Sequence, residues 1–280
     1  MIALESGPIA PERIQKASST TMIDTEELAK GYTFVSNTQY DAGKFLLKRL
    51  GITPGLHVLD IGCGPGDLTA HILELVGESG NVVGIDPSKE RIAIALEKAK
   101  SNLSFYEGRA EDLSRFPADS VDVVFVNSTF HWVEDQPTAL KEFSRVLKSG
   151  GRLGISGGSG DFVAAHEKIK EDVLSREPYR MYPEKSPPKF LKQAELESML
   201  NKAAFSQREI VINTIVKSAE NGEAMIEWLD TSSSGKTYGG IPLNLRPKAR
   251  EEMKREWDKI TTEEGIKMEM ELLVTVATKD

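Results

Sequence analysis

Between residues 57 and 157 the sequence alternates short apolar segments with amphipathic ones, and that alternation limits the fold more than any other feature. HVLDI (57–61), NVVGID (81–86), LSFYEG (103–108), VDVVFVN (121–127) and RLGISG (152–157) have the length and composition of strands. Between them DLTAHILELVG (67–77), SKERIAIALEKAKS (88–101) and QPTALKEFSRVLKSGG (136–151) carry apolar residues at helical intervals. In the first of these helices Leu68, Ile72, Leu75 and Val76 share a face, with Asp67 placed as an N-cap. In the last, Pro137 stands in the first turn and glycines follow the end. Strands this continuously apolar are buried on both faces, so the sheet is parallel and helices cover both sides. Right-handed crossovers then make it doubly wound and Rossmann-like.

The flanks read differently. Residues 24–50 place Leu28, Tyr32, Val35, Phe45, Leu46, Leu47 and Leu50 at helical spacing. After residue 157 the alternation stops. Helical patterns cover 163–175, 192–203, 221–230 and 246–260, with a proline-rich stretch at 176–190. REIVINTIVKS (208–218) and KMEMELLVTVATK (267–279) read as strands. The expectation is a seven-stranded, mostly parallel α/β sheet with an antiparallel last strand and a helical cap over its C-terminal edge. Residues 1–50 would form a helical cap segment, 51–157 the ligand-binding core, and 158–280 the cap helices plus the last two strands.

Charge and composition exclude several partners. Lys and Arg total 35 against 43 Asp and Glu, a net charge of −8. An acidic chain with no long basic run argues against nucleic acid or an anionic membrane as the main partner. The one cysteine, Cys63, rules out a disulfide framework within one chain and a cysteine-rich metal site, and the four histidines show no metal-ligand spacing. No apolar run is long enough to span a bilayer, and residues 1–19 lack the pattern of a signal peptide. The expected partner is a small molecule, the expected location cytoplasmic, and the oligomeric state, monomer or homodimer, stays open.

LDIGCGPGDLT (59–69) follows the first strand, where open α/β sheets bind ligands. Gly62, Gly64 and Gly66 permit a tight turn with N–H groups aimed toward the next helix. No lysine follows Gly66, so the loop is not a P-loop, and Asp67 stands where a dinucleotide fingerprint needs its third glycine. Two acids, Asp60 and Asp67, are poor company for a pyrophosphate. They suit a ligand with a cationic end, such as S-adenosylmethionine. Asp60 would accept from its ammonium while loop N–H groups and the helix N-terminus serve its carboxylate.

VLDIGCGPGDLT resembles motif I of the class I S-adenosylmethionine-dependent methyltransferases, written hhDhGxGxG. The resemblance implies S-adenosyl-L-methionine as cofactor, contacted at Asp60, Gly62, Cys63 and Gly64, with Cys63 a small filler rather than a nucleophile. It makes Asp86, at the end of the second strand beside Pro87, the chelator of the ribose hydroxyls, by the geometry dinucleotide folds also use. EGRAEDLSRFPADSVDVVFV (107–126) is similar to the family segment that holds the adenine edge, although Arg109 stands where Asp is frequent. The exocyclic amine then falls to Glu111, to Asp112, or to the backbone of Ala110 and Glu111. Asn127 is placed at the methionine moiety. Tyr32 and Gln39 are placed to close over the methionine end.

In NSTFHWVED (127–135), Trp132 faces the reaction centre or plugs the core. His131 is a catalytic candidate: a general base if the acceptor is a hydroxyl or amine, a structural histidine otherwise. The stretches FHWVED, EWLDT (227–231) and LLVTVATK (272–279) loosely resemble the trans-aconitate methyltransferase subgroup, from which SSSGKTYGG (232–240) departs. That resemblance implies a carboxylate acceptor, with Arg180, Lys236 and Arg246 as candidates to hold a second carboxylate. Alternatives are an O- or N-methyltransferase of a phenol, amine, quinone precursor or natural product, and a non-catalytic binder of the same cofactor. One cysteine disfavours arsenite as the acceptor.

Overall fold

The computed structural model describes residues 37–233 and 236–280. Helix α1 (Asn37–Leu50) leads into the alternating core: β1 (His57–Ile61), α2 (Asp67–Val76), β2 (Asn81–Asp86), α3 (Lys89–Leu96), β3 (Leu103–Glu107), β4 (Val121–Asn127), α4 (Gln136–Val146) and β5 (Leu147–Gly158). The remainder runs α5 (Ala165–Leu174), α6 (Gln193–Lys202), β6 (Gln207–Ala219), α7 (Gly222–Ser232), α8 (Arg246–Lys259) and β7 (Ile266–Thr278). The sheet has seven strands in the order β3-β2-β1-β4-β5-β7-β6. β1 to β5 pair in parallel, and β7 runs antiparallel to both β5 and β6. The doubly wound sheet read from the sequence is therefore the observed one. Its strand order reverses direction between β1 and β4, the point where such sheets take ligands.

The pleat explains why the central strands are apolar on both faces. In β4, Val123 and Phe125 join α1, α2 and α3 in one buried cluster, while Val124 and Val126 join α4 and α6 in another. A third cluster, with Met225, Trp228, Met253 and Trp257 at its centre, fastens α5, α7 and α8 to the start of β7 through Ile266 and Met268. This is the cap. Its support is a ribbon. β7 pairs β6 along its whole length but meets β5 only from Leu272 to Thr278, so Ile266–Glu271 projects past the sheet under the cap.

Helix ends follow local chemistry, with corrections to the sequence reading. Ser88 caps α3 by accepting from Arg91 N at 3.2 Å, and Asp135 caps α4 by accepting from Thr138 N at 3.1 Å. Asp67 does not cap α2. Gly66, at φ +86°, occupies that position, and Asp67 is the first helical residue. α3 is shorter than the 88–101 pattern because Lys100 and Leu103 close a turn instead. α4 stops at Val146 rather than Gly151 because Leu147 pairs with Val121 and starts β5. Residues 24–36, including Tyr32, lie outside the described residues.

Candidate active site

The turn after β1 is built on neighbouring backbone. Gly62 N and Cys63 N both donate to Ile85 O, at 2.8 and 3.0 Å, while Gly66 N donates to Cys63 O at 3.0 Å. Gly64 N donates to Asp86 Oδ2 at 3.0 Å, and the other oxygen of Asp86 accepts from Ser88 N at 2.9 Å. The loop N–H groups expected to bind a ligand carboxylate are thus committed within the protein. The glycines serve close approach instead. At Gly62, φ +74°, an added Cβ would lie 2.1 Å from Thr129 Oγ1. At Gly43 it would lie 2.5 Å from Leu68 Cδ1, so α1 packs directly onto the start of α2 beside the loop.

The loop opens into a cleft of about 150 Å³. Every residue expected to contact the cofactor, among those described, lines it: Gln39 from α1, Asp60 and the loop from β1, Asp86 and Pro87 from β2, Ala110 and Glu111 after β3, and Asn127 from β4. Asp60 is 2% exposed, and Thr69 Oγ1 donates to it at 2.7 Å. Burial pushes its carboxyl up to about 7, with Asp86 adding to the rise and the Thr69 bond opposing it. Burial also pushes the Cys63 thiol well up, with Asp60 and Asp86 adding, which suits a filler and not a nucleophile.

Asn127 Nδ2 donates to Gln39 O at 2.9 Å, which turns its Oδ1 the other way. Asn127 Oδ1 and Gln39 Oε1 are both buried without a partner. An unpaired buried acceptor costs about 1–3 kcal/mol. Two such acceptors beside a buried carboxylate fit a ligand that brings a cation and N–H donors. Glu111 is otherwise engaged: its Oε1 accepts from Glu134 N at 2.9 Å and Asp135 N at 3.3 Å, fixing the loop before α4. Asp112 accepts from Ser114 N at 3.1 Å in its own turn and does not line the cleft.

A second cavity, about 670 Å³, lies under the cap. Gln39, Ser128, Trp132, Ser232, Ser233 and Lys236 line both spaces. The larger one is walled by aromatic and apolar side chains, among them Phe162, Phe190, Trp228, Trp257 and Met270. His131 belongs here and not to the first cleft. Its ring lies 5.0 Å from Trp132 and 4.8 Å from Phe190, and its Nδ1 is buried without a partner. Burial pulls its pKa down to about 3, with Lys236 and His166 adding. The imidazole is neutral at ordinary pH and a weak base there, so a general-base role is poorly served. Lys236 lies 4.5 Å over the Trp132 ring.

A family profile described as a methyltransferase domain matches residues 52–204, over half of the chain. An uncharacterized methyltransferase of Schizosaccharomyces pombe is 30% identical over 194 residues, 67% of this chain and 73% of that one. The chain belongs to the class I S-adenosylmethionine-dependent methyltransferases. A demethylmenaquinone methyltransferase of Lactococcus lactis is 37% identical over 147 residues, 51% of this chain, and the match spans 57% of that relative's length. The YcgJ protein of Bacillus subtilis shares the fold, with a TM-score of 0.60 at 19% identity over 85% of this chain and 98% of that one. The trans-aconitate subgroup expected from the tail finds no support among these relatives.

Residues of the methyltransferase that its sequence did not single out also shape the cleft. Thr129 packs against Gly62 and donates to its carbonyl at 3.4 Å. Ser128, at φ +52°, turns the chain after β4 so that it faces both spaces. Arg91 lines the first cleft while 8% exposed. A positive φ at a serine has no local signature, and Arg91 reads in the sequence as an ordinary helical charge. No group of three or more His, Cys, Asp or Glu able to hold a metal occurs among the described residues. No helix among them is long and apolar enough to cross a membrane.

Proposed function

We propose that this chain transfers a methyl group from S-adenosylmethionine to a neutral, aromatic small molecule held under the cap. The carrying observation is the shared wall. A polar cleft suited to the donor and a large aromatic cavity meet at Gln39, Ser128, Trp132 and Lys236. The donor supplies an electrophilic methyl group on a sulfonium. Asp60 and Asp86 with Gln39 and Asn127 position its two ends, and the cap excludes water from the junction.

The carboxylate acceptor is the weaker reading. Arg180 is mostly exposed and pairs with Glu177, and Lys170 pairs with Glu184 at 2.7 Å. Arg246 stacks on Tyr238, its guanidinium carbon 5.8 Å from the ring centre. A small diacid would find aromatic walls and three cations, of which Lys170 and Arg180 are paired with carboxylates and Lys236 stands over an indole. The name of the Lactococcus relative, a demethylmenaquinone methyltransferase, supports a ring of the menaquinone type as the acceptor.

The test is turnover with methyl-labelled donor against two panels, hydroxylated naphthalenes and benzenes in one, small di- and tricarboxylic acids in the other. Transfer to the first panel supports the reading, and transfer only to the acids overturns it. Calorimetric binding of S-adenosylhomocysteine, with none of NAD, separates the donor assignment from the acceptor assignment.

A further inference from the structure

Strand β6 closes one side of the sheet, and among the described residues it has a strand partner, β7, on one side only. It is 13 residues long, QREIVINTIVKSA, with no proline or glycine, and keeps one unbroken register with β7. Proteins blunt exposed edges with short strands, prolines, bulges or rows of lysine. This edge is long and has no proline or bulge, its charges stand toward its ends at Arg208, Glu209 and Lys217, and Ile212 and Val216 between them are 54% and 51% exposed.

We infer that β6 pairs antiparallel with β6 of a second copy of this chain, joining the two sheets into one. The sequence of the strand is self-complementary in one register. Edge-to-edge antiparallel pairing places a two-fold axis perpendicular to the sheet, so facing residues lie on the same face and the axis passes midway between the two copies of one residue. With the axis at Asn213, the midpoint of Gln207–Ala219, every residue of the strand has an opposite number. On one face Glu209 meets Lys217 and Val211 meets Ile215. On the other, Ile210 meets Val216 and Ile212 meets Thr214. Both exposed apolar side chains then gain a cross-strand neighbour. Moving the axis one residue either way shortens the run and sets Glu209 opposite Ile215 or Ala219. The charges are available in place: Glu209 is held at the edge by Arg49 of α1, and Lys217 by the Trp228 ring 5.3 Å away.

Asn213→Cys tests the register, because the axis brings residue 213 of each copy face to face. Cys63 is buried and does not compete. The full chain should sediment as a dimer from micromolar to hundreds of micromolar, and Asn213→Cys should cross-link to a dimer under mild oxidation or with a short bismaleimide. Ser218→Cys should not, since its two copies would lie about 33 Å apart at roughly 3.3 Å per residue. Ile212→Lys should shift the protein to monomer with an unchanged circular dichroism spectrum. A wild-type monomer across the range overturns the proposal, including one whose β6 amides are protected from exchange, which places another part of the same chain over the edge. A dimer that survives Ile212→Lys, or equal cross-linking at 213 and 218, also overturns it.

Discussion

The two halves of the active site are held in different ways. The donor cleft is fixed by backbone: a loop whose N–H groups end on Ile85 O and Asp86, and a glycine at Gly62 that leaves no room for a methyl group. The larger cavity, the proposed acceptor site, is walled by side chains carried on the cap, and buried nitrogens on its walls, in His131, His166, Trp228 and Trp257, have no partner. The first tolerates almost no change in shape at its glycine turn. The second has spare hydrogen-bonding capacity and can be relined without disturbing the sheet.

The harshest break of that contrast is Gly62→Ala. A Cβ 2.1 Å from Thr129 Oγ1, on a residue at φ +74°, cannot be absorbed by a side-chain rotation alone. Donor binding should fall beyond detection by calorimetry, with a loss of about 2 kcal/mol or more in unfolding free energy from the backbone conformation and the clash. Asp86→Ala comes next. It leaves Gly64 N and Ser88 N without their acceptor and would remove the proposed ribose contact, at roughly 1.5–3 kcal/mol per charge-assisted bond. The dissociation constant for S-adenosylhomocysteine should rise about 100-fold.

Asp60 sharpens the comparison through pH. Its folded pKa, about 7, is above the unfolded 3.8. The folded state therefore holds an extra proton between those values, and without donor the protein loses stability as pH rises through about 4 to 7. A cationic ligand needs the ionised form. Donor affinity should fall as pH drops below 7, up to about tenfold per unit, with proton uptake on release of ligand, and Asp60→Asn should flatten the profile. A flat wild-type profile removes Asp60 from the site of positive charge.

The smallest effect is expected on the cap side. His131→Asn should leave S-adenosylhomocysteine affinity within about twofold, since the ring lines only the acceptor cavity. Turnover as a function of pH should show no ionisation near 6.5 in wild type, because burial holds this imidazole neutral down to about 3. A limb near 6.5 that the variant abolishes restores the general base.

The same contrast governs what the sequence discloses. β1, β2 and β4 are legible to the residue, because their apolar runs end where the chain must turn. Asp60 and Asp86 are legible as a pair because the parallel sheet puts the ends of β1 and β2 side by side. The partners of the loop N–H groups are not legible, since Ile85 O reaches them through the register of a neighbouring strand. Glu111 reads as a cleft residue and lines the cleft, but that its Oε1 also accepts from Glu134 N and Asp135 N, across 23 and 24 residues, is encoded by no local pattern. Lys236 reads in the sequence as one of three cations, with Arg180 and Arg246, that could hold a carboxylate or simply face solvent. That it would stand at the junction, over Trp132, depends on how the cap folds back.

The position of β7 between β5 and β6 also sets a timetable for synthesis. Residues 207–219 are made and released from the ribosome well before residues 266–278, yet those later residues supply β6 with its bond to the sheet. During translation β6 has both edges open, and the cap helices have no strand to rest on. The five parallel strands that carry the donor loops are by then made, although Ser232, Ser233 and Lys236, which also line that cleft, come later. A nascent chain of this protein thus passes through a stage in which a finished nucleotide-fold core carries an unanchored strand, and that strand is the segment most in need of a chaperone or a neighbour.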